Sequence, residues 1–129
     1  MKIAHEDELL DRKTRGRLLD RTLQELEYCR LSFPDRMFHV VGAGTFFGFV
    51  VKEDDQSVWL EYPILVALTE DAKKELCVNY SIVGFGIYWV KLNKAHVLYE
   101  TVGPEELNPV YLRYLHGFRV SQLGSAGGE

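Results

Sequence analysis

The stretch Thr45-Phe46-Phe47-Gly48-Phe49-Val50-Val51-Lys52-Glu53-Asp54-Asp55-Gln56-Ser57-Val58-Trp59-Leu60-Glu61-Tyr62 decides the fold class. Its two flanks are rich in the valine and aromatic side chains that suit a pleated, half-buried surface. The polar Glu53-Asp54-Asp55-Gln56 between them reads as a turn, so the two runs predict a β-hairpin. In the return strand Val58, Leu60 and Tyr62 alternate with Trp59 and Glu61. In the first strand both parities are apolar, so both faces need cover. Helices can supply some of it and a neighbouring subunit the rest.

Outward from the hairpin the β pattern continues. Pro63 interrupts it and marks an edge, a bulge or a bend. Residues 64–69, 76–83, 87–92 and 96–101 read as further strands, and residues 37–41 as an earlier one. Residues 70–75 are a polar connection, and Gly84-Phe85-Gly86 joins two strands. Upstream, residues 7–31 contain no proline and predict a helix. Leu19, Leu23, Leu26 and Arg30 recur at helical spacing, Leu18 widens the stripe, and Leu9 and Leu10 form an earlier patch. Gly16 is a candidate break, and Pro34 closes the stretch. Downstream, Pro104, Glu105 and Glu106 suit a helix start. Leu107, Val110, Tyr111, Tyr114 and Leu115 form its apolar stripe, and Gly117 is a candidate stop.

The chain has 129 residues, of which 47% are hydrophobic. That is enough to bury a core without disulfides or metal. A single domain over residues 1–120 is expected, with a disordered tail over 121–129. The net charge of −4 argues against a wholly basic surface but allows a local basic patch. Cys29 and Cys77 are too few for a secreted disulfide scaffold and are expected as reduced, buried thiols. The acidic N-terminus is unlike a signal peptide. No segment approaches the roughly 18 apolar residues of a membrane span. The expected location is cytoplasmic, or the host cytoplasm for a viral source, with no membrane partner.

Catalytic motifs are missing. Gly42-Ala43-Gly44-Thr45-Phe46-Phe47-Gly48 imitates a dinucleotide fingerprint, but the third glycine comes one residue late and a strand follows instead of a helix. His5, His39, His96 and His116 show no ligand spacing, and no Cys-x-x-Cys is present, so no metal is expected. Asp54 and Asp55 read as turn chemistry. No nucleophile elbow or P-loop occurs. The chain is therefore expected to be non-enzymatic and to need no cofactor. Arg12, Lys13, Arg15, Arg17 and Arg21 are the one charge anomaly. They could contact phosphates, or form a solvated helix face paired with Asp11, Asp20 and Glu25. The aromatics could stack on bases or fill the core.

Gly48, Val50, Asp54, Val58 and Leu60, followed by Ile82-Val83-Gly84-Phe85-Gly86-Ile87-Tyr88-Trp89-Val90, resemble the two sequence motifs of the Sm-like proteins. The outline, over residues 5–101, is similar to small phage-encoded members. The resemblance implies a mostly β (α+β) fold: a small, strongly bent antiparallel barrel with an N-terminal helix, to which this chain adds a short C-terminal one. Valine stands at position 83 where RNA-binding members carry arginine, and Val58 or a neighbour where they carry asparagine. The implied function is a non-enzymatic, homo-oligomeric assembly or binding module, paired through Ile87, Tyr88, Trp89 and Val90. The alternative is weakly specific RNA binding through the basic N-terminal helix face.

Overall fold

The computed structural model describes residues 11–121. The reading of residues 7–10, including the Leu9–Leu10 patch, and of the tail from 122 lies outside them. Helix α1 spans Arg12–Glu27 and is followed by strands β1 (Arg36–Val40), β2 (Gly44–Glu53), β3 (Ser57–Glu70), β4 (Leu76–Ile82) and β5 (Trp89–Asn93). A 3-10 turn, Lys94–His96, leads to β6 (Val97–Val102), and helix α2 spans Leu107–Ser121.

Asp11 starts α1 by accepting a hydrogen bond from the Thr14 backbone N–H at 2.7 Å, which satisfies one of the first-turn donors. The helix ends at Glu27, well before Pro34, because Cys29 adopts a left-handed φ of 58° and Arg30 N–H turns back to the Glu25 carbonyl. Gly16 does not break it. The Arg119 guanidinium lies 3.3 Å from where a Gly16 Cβ would stand, and its Nε donates to Asp20 at 2.9 Å. A side chain at 16 would displace this link between α1 and α2. Gly117 likewise lies inside α2, which continues to Ser121.

All strand pairings are antiparallel. The ladder runs β4-β3-β2-β1-β6, with β5 attached to β3. This corrects the expected Sm-like barrel: the path has two ends, and the sheet does not close. The chain leaves the β3 edge after β5, makes the turn at 94–96 and joins the β1 edge as β6, so β5 and β6 pair with different strands. Among the described residues the fold is α+β, an open six-stranded sheet with two helices.

Pro63 sits at the point where β3 changes partner. Residues 57–61 pair with β5, and residues 64–70 with β4. Between them lies a bulge: Phe47 faces Ile64, but Phe49 faces Glu61, and Tyr62 takes a φ of 51°. The bulge accommodates a proline that has no N–H for the ladder. Gly48 stands opposite it, where a Cβ would meet the Glu61 carbonyl oxygen at 2.8 Å and Pro63 Cα at 3.2 Å.

The neighbours Phe46 and Phe47 point to opposite faces and enter different cores. Phe47, Met37, Ile64 and Val66 meet Leu19, Leu23 and Leu26 of α1 and Leu107, Tyr111, Leu115 and Phe118 of α2. Phe46, Phe38, Val58, Leu60 and Leu92 form the core of the other face, with Val90 and Val97 against it. Cover for the doubly apolar β2 is thus supplied within the chain. The cysteines depart from expectation, since Cys29 is exposed and Cys77 half-buried.

Candidate functional site

Three strands leave a backbone edge with no strand partner among the described residues: β4, β5 and β6. Sheet edges are usually blunted by charge, proline or cover. Strand β5 carries Lys91. Strand β6 carries Glu100, which the Arg36 guanidinium grips through Nε at 2.9 Å and Nη2 at 2.8 Å. Strand β4, Leu-Cys-Val-Asn-Tyr-Ser-Ile, carries no charge and no proline.

The two faces of β4 differ. Leu76, Val78, Tyr80 and Ile82 share one face because side chains alternate along a strand. Tyr80 makes an edge contact with Tyr114 of α2 at 5.7 Å, so this is the helix side. Leu76, Tyr80 and Ile82 stay 38–49% exposed despite their size. Cys77, Asn79 and Ser81 make up the other, polar face. Beside the apolar face runs a groove of about 420 Å³ between β4 and the end of α2, walled by Tyr80, Ile82, Tyr114, Phe118 and Val120. Phe85 is 84% exposed at the apex of the adjoining turn. There Ile87 N–H returns to the Gly84 carbonyl and Gly86 supplies a φ of 75°, a geometry that favours glycine.

The polar clusters elsewhere tie elements together. Arg36 also forks onto Glu53 at 2.7 and 3.0 Å, and Lys94 reaches Glu53 at 2.9 Å. The Arg36 and Lys94 bonds hold the Glu53 carboxyl down at about 2. His39 bridges Thr45 and Thr101 at 2.8 and 2.9 Å and stacks on Tyr99. No group of three or more metal-ligating side chains occurs among the described residues. No helix among them is long and apolar enough to cross a membrane.

Glu61 was legible in the sequence only as the polar member of an alternating strand. It lies between Phe49 and Trp89 in register, and burial raises its carboxyl to about 7. A raised folded-state value means that Glu61 favours the fold fully below the ordinary value of 4.5 and loses that contribution as pH rises through about 7. Glu61→Gln is expected to be about 2 kcal/mol more stable than the parent at pH 9, with the residual solvent contact reducing the full linkage value. At pH 4.5 the two should match. Urea midpoints at both pH values measure this.

The residues singled out in the sequence are dispersed. Arg15 lies over the Tyr88 ring at 4.4 Å, Arg21 pairs with Glu25 at 2.9 Å, and Arg17 reaches Thr14 at 3.5 Å, while Lys13 is exposed. Arg12 opens α1. Lys13, Arg17 and Arg21 stay on the exposed side of α1, and none of these contacts shows an RNA-binding face, so that alternative is corrected. Of the expected pairing segment, Tyr88 is buried in the helix-side core and Trp89 packs against it. Val90 packs against the opposite core, and Ile87 is exposed beside the groove turn. The Sm-like ring assembly is likewise corrected, because it requires the closed barrel that this open sheet lacks. No protein-family model matches this chain, and no curated protein matches it either.

Proposed function

We propose that this protein is a non-enzymatic self-pairing module in which the β4 edge joins the β4 edge of a second copy. The observation that carries this reading is the uncharged seven-residue edge, Leu76–Ile82, with its large apolar side chains left exposed. An open sheet edge accepts an extended chain through main-chain hydrogen bonds. Lysine or glutamate at an edge opposes the approach of an identical edge, and β4 has neither. Its apolar and polar faces also match themselves: pairing two copies sets Leu76, Val78, Tyr80 and Ile82 beside the same residues of the other chain. This pairing joins two open sheets edge to edge and does not build a ring of barrels. The reading includes a reducing, cytoplasmic setting, supported by two cysteines that are not bonded to each other.

Light scattering across the micromolar range is expected to give twice the chain mass. Asn79→Lys sets two ammonium groups opposite each other on the exposed polar face and should give a folded monomer whose unfolding midpoint no longer depends on protein concentration. A monomeric parent protein at the top of that range overturns the proposal.

A further inference from the structure

Resting on the self-pairing of β4, we infer that the two strands run antiparallel about a two-fold axis at Asn79, which makes Asn79 the residue that selects the register.

Symmetry restricts the choices first. A two-fold axis perpendicular to the sheet keeps α2 on the same side of both copies and makes the paired edges antiparallel. Residues directly opposite each other then point to the same face. The two residue numbers of every pair must therefore share parity, and any slip by one residue would set the apolar face of one copy against the polar face of the other. Among the permitted registers, only the one with Asn79 opposite the partner's Asn79 engages all seven residues of β4, from Leu76 to Ile82. It sets Leu76 opposite the partner's Ile82 and Val78 opposite the partner's Tyr80. On the polar face it sets Cys77 opposite the partner's Ser81.

Asn79 suits the axis chemically. Its side chain is exposed on the polar face, and its neighbour on β3 is the small Ala67. Two carboxamides about 5 Å apart can each donate one hydrogen bond and accept one. Registers shifted by two residues move the axis to Val78 or Tyr80, set Asn79 opposite the partner's Cys77 or the partner's Ser81, and lose that amide pair along with two positions of overlap. A single polar residue on a symmetry axis is an established way to specify register.

Cross-linking tests the register separately from association. In a Cys29→Ser background, Ser81→Cys places a new thiol opposite the partner's Cys77. Mild oxidation should link position 81 to Cys77 of the other chain, as peptide mapping reads, in most of the dimer. The Cys29→Ser protein without that change should stay uncross-linked through Cys77, since its two copies of Cys77 lie four positions apart in this register. Adding Asn79→Val should scatter the register and lower the yield of the 81-to-77 link several-fold. A dimer by light scattering that links Cys77 to Cys77 in the Cys29→Ser protein, or that keeps one register after Asn79→Val, overturns this inference and leaves self-pairing standing. A monomer by light scattering overturns the self-pairing itself.

Discussion

Replacing Phe47 with alanine is expected to cost about 4 kcal/mol, read as a lowered urea midpoint at an unchanged slope. Phe47 is fully buried at the centre of the sheet's helix side. Its ring meets Tyr111 of α2 edge-on at 5.2 Å, and its Cε1 lies 3.0 Å from where a Gly103 Cβ would stand. The walls of the cavity left by alanine belong to β1, β3 and α2, through Met37, Ile64 and Tyr111. Tyr111 is held in place by a hydrogen bond that its hydroxyl donates to the Tyr62 carbonyl at 2.8 Å. The site therefore collapses poorly, and the loss should lie toward the upper part of the range for large-to-small changes. A loss below about 1 kcal/mol would mean that α2 shifts to fill the space.

The second large effect is expected at Gly48. Gly48→Ala adds one methyl group, and its nearest neighbours are backbone atoms: the Glu61 oxygen at 2.8 Å, Pro63 Cα at 3.2 Å and the Tyr62 oxygen at 3.3 Å. Backbone in a paired strand cannot swing aside as a flexible side chain can. The bulge would have to open, at a cost of about 3 kcal/mol. Gly117→Ala is the control, because a Cβ there meets nothing within 4 Å. It should stabilise α2 by up to about 1 kcal/mol through helix propensity. Equal effects at the two positions would show that Gly48 is not needed to accommodate the bulge.

Much of the secondary structure was legible because it is written in short-range patterns. The leucines at 19, 23 and 26 mark the buried stripe of α1, and the stripe at 107, 110, 111, 114 and 115 marks that of α2. The turn at 53–56 separates β2 from β3, where Asp54 accepts hydrogen bonds from the Gln56 and Ser57 backbone N–H groups at 2.8 Å. Pro63 announced an irregularity, and one is there. The two glycines read as a helix break and a helix stop were misleading, since Gly16 makes room for a side chain from the other helix and Gly117 faces open space.

By itself, then, the sequence determined which segments are helix and which are strand, where the hairpin turns, and that β2 would be covered on both faces. Only the tertiary structure decided that the sheet stays open, that β4 is its uncharged edge, and that Glu61 is half-buried while Arg36 joins Glu53 to Glu100. The physical reason is range. Helical and strand periods act over a few residues, whereas pairings such as Arg36 with Val102 depend on which strands the folded chain brings together. Alternating valines record that a strand is half-buried, and the identity of the strand beside it leaves no mark on that alternation.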